Sequence, residues 1–223
     1  DIQKEESVIE SLRNEYSTKI MRISCDLEQE EDIQQSVANA LKTFNRLDIV
    51  VNNGAFVGTS DLEGWVTSFE KQSPETWRRA LEVNLTAPFV LVKSCLEALR
   101  SSGNGSIINI GSTYGVSGAV MSLYEGTSMG NPAAYAASKG GLIQFTRWLA
   151  TVLAPEIRVN SISPGGVWRN QPEQFHQRYV ERTPLGRMAV EEDFKGIVAY
   201  LASDASAYVT GQNIMVDGGW TAW

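Results

Sequence analysis

The strongest constraint on the fold of this chain is a regular alternation of short apolar runs with helix-forming segments. Apolar residues recur at helical spacing from Ile33 to Phe44 and predict an amphipathic helix over residues 29–44. Short runs rich in β-branched residues predict strands at 20–24, 47–51, 106–110, 158–162 and 213–216. The other predicted helices cover 4–14, 74–99, 132–153 and 191–202.

A repeated strand, helix, strand order predicts a parallel sheet, because parallel neighbours are joined by crossovers that are usually helical. The predicted strands are apolar enough to be buried on both faces, so we expect helices on both sides of a doubly wound α/β sheet. No repeat, low-complexity tract or linker divides the sequence, and we predict one domain over residues 1–223. Ligands of such sheets bind beyond the carboxyl ends of the strands, where the irregular segments 117–131 and 165–186 lie.

The charge balance and the rare residue types exclude several classes of function. The chain has 19 basic and 26 acidic residues, a net charge of -7 and a pI near 4.9, which argue against nucleic acid or an anionic membrane surface as a partner. No apolar stretch could span a membrane and no signal-peptide pattern is present, so we expect a cytoplasmic protein. With one histidine, His176, and two distant cysteines, Cys25 and Cys95, we expect reduced thiols and no metal site.

Tyr135 and Lys139 are a candidate catalytic pair. They are four residues apart in a predicted helix that Asn131 and Pro132 open as N-cap and first residue, so their side chains share one face. A neighbouring ammonium favours the phenolate and would bring the tyrosine pKa from about 10 toward neutral pH, where the hydroxyl can exchange a proton. A surface cation packed along a tyrosine ring is the alternative explanation of this spacing.

Small or polar residues follow three successive predicted strands. The segments are Asn52-Asn53-Gly54-Ala55, Asn109-Ile110-Gly111-Ser112 and Pro164-Gly165-Gly166. Ser112 would present its hydroxyl at the carboxyl edge of the sheet, and backbone without bulky side chains can approach a flat ligand. A plain turn is the alternative at each position.

The ordered set of motifs resembles the short-chain dehydrogenase/reductase family over nearly the whole chain. The set also includes Glu82-Val83-Asn84-Leu85, Tyr135-Ala136-Ala137-Ser138-Lys139, Thr210-Gly211-Gln212 and Val216-Asp217-Gly218-Gly219. The resemblance implies a Rossmann-like fold and hydride transfer between nicotinamide and an alcohol or carbonyl carbon. It implies that Tyr135 is the general acid/base and that Lys139 lowers its pKa and holds the nicotinamide ribose. It further implies that Ser112 bonds the substrate oxygen and that Asn84 anchors a water of the proton relay.

Pro88 supports the role of Asn84 on physical grounds. Proline has no backbone N–H, so in a helix the carbonyl four residues earlier, that of Asn84, loses its partner and can hold a water. A merely kinked helix with Asn84 on its surface is the alternative.

The resemblance also implies the cofactor, which is NAD with NADP as the alternative. The implied cofactor contacts are Asp1, Asp26, Leu27, Asn53, Gly54, Tyr135, Lys139, Pro164, Gly165 and Val167. Asp1 resembles the acidic residue that ends the second strand in this family, where a carboxylate bonds the adenosine ribose and favours NAD. The glycine-rich turn that places the pyrophosphate at a helix N-terminus is absent, so the first strand-helix-strand unit is expected to be missing or incomplete.

Two departures from the family pattern concern the substrate side. The interval from Ser112 to Tyr135 is longer than usual by roughly ten residues, and such extended loops are often functional. Arg169 stands where many members carry a threonine that contacts the cofactor.

The segment after Pro164 is basic in an otherwise acidic chain. Its basic residues are Arg169, His176, Arg178, Arg182 and Arg187. Guanidinium groups turned inward would suit a carboxylate or phosphate, and Tyr124 and Glu125 in the longer loop would border the site; a solvated helix face is the alternative.

These observations predict an NAD(P)-dependent oxidoreductase that acts on a polar alcohol or ketone, with sugar-derived compounds as candidate substrates. The alternative is a catalytically idle binding or scaffold protein with the same fold. A Ser/His/Asp hydrolase fits less well, because His176 is the single histidine and no G-x-S-x-G elbow is present. The resemblance implies a homodimer or homotetramer, with a small-molecule substrate as the other partner.

Overall fold

Four parallel strands and the helices around them form the described part of the chain, which a computed structural model defines for residues 2–56 and 62–223. The strands are β1 (Ile49–Asn52), β2 (Gly105–Ile110), β3 (Ile157–Pro164) and β4 (Asn213–Val216). The helices are α1 (Ile2–Tyr16), α2 (Glu30–Phe44), α3 (Pro74–Leu81), α4 (Ala87–Ser101), α5 (Ala133–Leu153), α6 (Glu173–Glu181) and α7 (Glu192–Ala202). The strand order is β1-β2-β3-β4 and all three pairings are parallel, which confirms the predicted α/β class.

The two central strands, β2 and β3, are buried on both faces. Ile107 and Ile108 are neighbours in β2 and therefore point to opposite sides of the sheet, yet both are fully buried. Ile107 packs among residues of α4 and α5 such as Leu99, whereas Ile108 packs against Leu201 of α7. Helices thus cover both faces, and burial of each such side chain contributes about 1.5–3 kcal/mol.

A ladder of buried amides joins the carboxyl half of the sheet to α5. The Asn52 amide donates to the Asn109 side-chain oxygen over 2.7 Å, and the Asn109 amide donates to the Thr146 hydroxyl over 2.8 Å. Asn52 and Asn109 are register partners in β1 and β2. Because buried polar groups are costly unless they are paired, this ladder fixes the helix that carries Tyr135 against the strand ends.

The edge of the sheet differs from the prediction. Residues 20–24, predicted as a strand, have no strand structure, because a strand requires a neighbour and β1 is paired with β2 alone among the described residues. Ile49 and Val51 of β1 are 39% and 40% exposed, so this strand is buried on one face only. The prediction that the strands are buried on both faces is therefore correct for β2 and β3 and wrong for β1.

The segment predicted as one helix over 74–99 is interrupted by a π turn. The turn covers Glu82–Thr86, where the Ala87 N–H donates to the Glu82 carbonyl five residues earlier, and Pro88 follows in the first turn of α4. A π turn at this point fits the inability of proline to continue the i to i−4 ladder. The carbonyl of Asn84 as a water site stays a prediction.

Two local expectations around the other helices are corrected. Asn131 does not cap α5; Pro132 occupies the N-cap position, and the Ala133 N–H instead donates to the Gln72 side-chain oxygen over 3.0 Å. The segment predicted as irregular after β3 contains α6. No helix within the described ranges is long and apolar enough to cross a membrane.

Candidate active site

A cavity of about 530 Å³ lies at the carboxyl ends of β2 and β3. Its lining includes seven of the residues predicted from the sequence: Asn53, Ser112, Tyr135, Lys139, Pro164, Gly165 and Val167. Three separate strand ends and one helix therefore bring these residues to a single space. This is the position at which open α/β sheets bind their ligands.

Ser112 and Tyr135 both line this cavity, and the Ser112 side chain lies near enough to the Tyr135 hydroxyl to lower its pKa. Ser112 is the N-cap of a 3₁₀ turn, Thr113–Gly115, and its hydroxyl also accepts the Tyr114 N–H over 3.1 Å. The cap holds the serine hydroxyl at one orientation just beyond β2. A serine and a tyrosine hydroxyl are thus presented together to a ligand.

Gly115 permits this approach of the 3₁₀ turn to α5. A Cβ at position 115 would lie 2.9 Å from the carbonyl carbon of Lys139 and 3.0 Å from the nitrogen of Gly140. Both atoms belong to the helix backbone and cannot give way, so a larger residue would push the turn and Ser112 away from Tyr135.

Lys139 is buried one helical turn after Tyr135. Its exposed fraction is 2%, and its ammonium donates to the carbonyl of Ile110, the last residue of β2, over 2.7 Å. Burial lowers the pKa of Lys139 from 10.5 to about 8. The ammonium has three donors, so those not used by Ile110 are available to a ligand in the cavity.

The electrostatics of Tyr135 differ from the expectation. Burial raises the pKa of Tyr135 above 10, and the nearby Ser112 side chain lowers it by a smaller amount. The Lys139 ammonium lies 6.0 Å from the centre of the tyrosine ring and is bound to a carbonyl instead. In the structure as it stands, desolvation therefore outweighs the predicted effect of the lysine, and the phenol form is favoured at neutral pH.

Asn84 is fully engaged by the protein through its side chain. The side-chain oxygen accepts the Phe56 N–H over 2.6 Å, and the amide donates to the Phe56 carbonyl and to the Ser138 hydroxyl over 3.3 and 2.9 Å. Asn84 thus joins the loop after β1 to α5 beside Tyr135 and Lys139. The side chain positions the site, and any contact with a relay water is left to the main chain.

The residues predicted at the adenosine side form a second group outside the cavity lining. Leu27 packs directly on Gly54, where a Cβ would come 2.6 Å from its side chain. The Asp26 carboxylate accepts the Glu28 N–H over 2.9 Å. Asp1, the predicted ribose contact, lies outside the described residues.

The glycines after β3 serve the protein's own packing. A Cβ on Gly166 would lie 2.7 Å from the ring of Tyr179 and 2.9 Å from Met188, and one on Gly165 would lie 2.8 Å from the backbone of Asp217. The idea that these glycines only leave room for a flat ligand is therefore incomplete. They allow the C-terminal segment and α6 to close against the strand ends.

The basic segment after Pro164 does not form an inward-facing cluster. Arg178 donates to backbone carbonyls of the 122–125 turn, Arg187 pairs with Asp193 over 2.7 Å, and Arg182 lies over the ring of Trp220. His176 packs on Trp168, with ring centres 4.5 Å apart. Arg169 does line the cavity, and it is held at the same time by an ion pair with Glu191.

An aromatic wall is the part of the site that sequence reasoning mostly missed, since of its members only Tyr124 was expected to border the site. It consists of Trp65, Tyr114, Tyr124, Phe175, Tyr179 and Trp220. Trp220 stacks on Tyr179 with ring centres 4.3 Å apart and planes 10° apart. The signal available in the sequence was the density of aromatic residues in the irregular segments, especially Trp220 directly after the Asp-Gly-Gly motif.

Comparison with known proteins decides the family. The family model described as enoyl-(acyl carrier protein) reductase matches residues 1–221. The chain belongs to the short-chain dehydrogenase/reductase family. This membership confirms the predicted oxidoreductase of CH–OH groups and leaves the idle scaffold without support.

Two curated members of the short-chain dehydrogenase/reductase family and one solved structure illustrate the similarity. The trans-4-hydroxycyclohexanecarboxylate dehydrogenase of Sinomonas cyclohexanicum is 34% identical over 97% of this chain and 78% of its own length. The 3-oxoacyl-[acyl-carrier-protein] reductase FabG of Aquifex aeolicus is 31% identical over 97% and 83%. A short-chain dehydrogenase of Leptospira borgpetersenii, solved with bound NAD+, is 37% identical with a TM-score of 0.81, covering 92% of this chain and 78% of that one.

Proposed function

We propose that this short-chain dehydrogenase/reductase interconverts a compact ring alcohol and the corresponding ketone with NAD as the cofactor. The observation that carries the proposal is that Ser112, Tyr135 and buried Lys139 line one cavity together with an aromatic wall. Aromatic faces suit the apolar faces of a ring, and the hydroxyl pair suits one oxygen on it. Hydroxylated rings, sugars among them, fit this combination.

The residues around the cavity fit a nicotinamide riboside. Lys139 has donors available for the ribose hydroxyls, and Asn53, Pro164, Gly165 and Val167 line the same cavity along the strand ends. When bound, the nicotinamide supplies a hydride acceptor or donor. The NAD+ found in the Leptospira relative and the expectation for Asp1 both favour NAD over NADP.

The chain's own groups handle the proton and the substrate oxygen. Ser112 would donate to the substrate oxygen and hold it beside Tyr135, whose phenol gives its proton to a forming alkoxide in reduction and whose phenolate takes the alcohol proton in oxidation. Lys139 and the carbonyl of Ile110 fix the base of the cavity. Because burial favours the phenol form of Tyr135, proton donation in the reductive direction suits neutral pH. The rate of alcohol oxidation, which needs the phenolate, should increase with rising pH.

Replacement of Tyr135 by phenylalanine tests the proposal. The change removes one hydroxyl and keeps the ring, so we expect kcat to fall by about 10²- to 10⁴-fold, while NAD binding measured by calorimetry changes little. Ring alcohols such as cyclohexanol and glucose would be screened with NAD in the full-length protein. Tyr208→Phe is the matched control, since Tyr208 is fully exposed. A Tyr135→Phe variant with more than half of the original kcat would contradict the assignment.

We also propose that the protein associates with a second copy of itself through α4 and α5. Phe89 of α4 and Trp148 of α5 are 49% and 57% exposed, and both contact Phe145 between them. Val152 extends this apolar stripe by another turn of α5. Exposed aromatic stripes of this kind are typical of interaction surfaces.

A further inference from the structure

A chain of three hydrogen-bonding side chains lines the cavity apart from the Ser112 and Tyr135 pair. The hydroxyls of Tyr114 and Tyr124 are 2.8 Å apart, and the side chain of Asn131 lies near enough to Tyr124 to lower its pKa. All three residues line the same cavity as Tyr135. Tyr124 and Asn131 belong to the longer segment between Ser112 and the catalytic helix.

A count of hydrogen-bond donors shows that one phenolic O–H of Tyr114 and Tyr124 is not used in the contact between them. Two phenols hold two O–H groups, and the contact between them uses one of these. Either hydroxyl can be the donor in this contact, so the remaining O–H belongs to one of the two phenols. When Tyr114 donates to Tyr124, the Tyr124 O–H is the one left for a ligand in the cavity.

The two phenols are also held firmly enough to select a ligand. Burial raises the pKa of both above its ordinary value, so both remain neutral donors over the physiological range. The Tyr124 ring packs on Phe175 of α6 with ring centres 5.4 Å apart. Arg178 of the same helix donates to the Glu125 carbonyl over 2.5 Å and fixes the turn that carries Tyr124.

We propose that Tyr124 is a specificity residue whose hydroxyl donates to a second acceptor oxygen of the substrate, away from the oxygen held by Ser112 and Tyr135. This inference rests on the proposed function, because it assigns a substrate class to the same cavity. The class is a ring alcohol or ketone that carries an additional ether, carbonyl or carboxylate oxygen. A site built to hydrogen-bond such an oxygen discriminates strongly against an analogue without it.

Binding of two ketones of the same shape tests this inference. Cyclohexanone and tetrahydropyran-4-one differ in one ring position, where the second compound has an acceptor oxygen in place of a methylene group. Their affinities would be measured on the full-length protein with NAD+, a condition in which neither ketone can be reduced. Fluorescence of the cavity residues Trp65 and Trp220 provides the signal. We expect tetrahydropyran-4-one to bind about five-fold more tightly, the usual effect of one neutral hydrogen bond.

Tyr124→Phe should abolish this preference, and Tyr208→Phe, at a fully exposed position, should retain it. Circular dichroism establishes that the Tyr124→Phe variant is folded. Equal affinities in the original protein, no binding of either ketone, or a preference that survives Tyr124→Phe would overturn the inference. Turnover is measured separately with NADH. A preference that depends on Tyr124 without turnover of any ring ketone would contradict the proposed function and leave the binding role of Tyr124 in place.

Discussion

Replacement of Lys139 by methionine should change how the stability of this protein depends on pH. Burial lowers the pKa of Lys139 from 10.5 to about 8, and the unfolded chain titrates near the ordinary value. Between these two pH values the unfolded chain binds one more proton than the folded chain, so the free energy of unfolding rises with pH. The shift corresponds to on the order of 3 kcal/mol. This gain is complete above the unfolded pKa and absent below pH 8.

The comparison with Lys139→Met isolates this effect from other titrating groups. Methionine has a similar length and no charge, so the free energy of unfolding of the variant should lack the rise with pH that the lysine causes. The substitution leaves the Ile110 carbonyl without its donor, which costs about 1 kcal/mol at every pH. This cost shifts the plot of unfolding free energy against pH without changing its slope.

Urea unfolding followed by tryptophan fluorescence from pH 7 to pH 11 provides the measurement. Lys195→Met is the matched control, because the Lys195 side chain is 74% exposed and its pKa is raised by Glu192 rather than lowered. The control should follow the original protein through the range in which Lys139→Met departs from it. Parallel curves for the original protein and Lys139→Met would refute the claim that desolvation dominates at this lysine.

Two further predictions concern packing and assembly. Gly166→Ala should lower the free energy of unfolding by about 1–3 kcal/mol, because its Cβ would meet Tyr179 at 2.7 Å. In the control Gly196→Ala, in α7, the new Cβ meets nothing within 4 Å, so this change should be neutral or stabilising. Denaturant titration of both variants checks the prediction, and equal effects would contradict the packing argument. Trp148→Asp should shift the protein to a smaller species in sedimentation velocity, because it places a charge on the exposed stripe of α4 and α5. An unchanged sedimentation coefficient would argue against this surface as the interface.

The fold could be predicted where local pattern and tertiary environment agree. The strand at 213–216 and the helices α2, α5 and α7 were placed to within one residue, because their apolar periodicity reflects faces that are in fact buried. Residues 20–24 have the composition of a strand, yet strand structure depends on a hydrogen-bonding neighbour that composition does not reveal. For the same reason the exposed face of β1 could not be read from its apolar residues.

The meeting of the candidate site residues in one cavity could be predicted from the sequence, and their environment only partly. Ser112, Tyr135 and Lys139 come together as expected, because strand ends in a parallel sheet meet at one edge. The arginines could not be placed, since the residue pattern does not show whether Arg187 faces a ligand or pairs with Asp193. Apart from Tyr124, the aromatic wall was missed because its members come from four separate parts of the chain and do not stand out at their own positions.

The opposite pKa shifts of Tyr135 and Lys139 have one cause, and that cause explains why motif reasoning overestimated their interaction. Burial penalises whichever form is charged, so it raises the pKa of the phenol and lowers that of the ammonium. An attraction between phenolate and ammonium would counter both shifts, but it requires that both groups be charged at close range. The lysine instead donates to the Ile110 carbonyl, with its nitrogen 6.0 Å from the tyrosine ring centre. Spacing in a helix therefore establishes that the two side chains share a face. Their pKa values are set instead by burial and by the other groups that each side chain contacts.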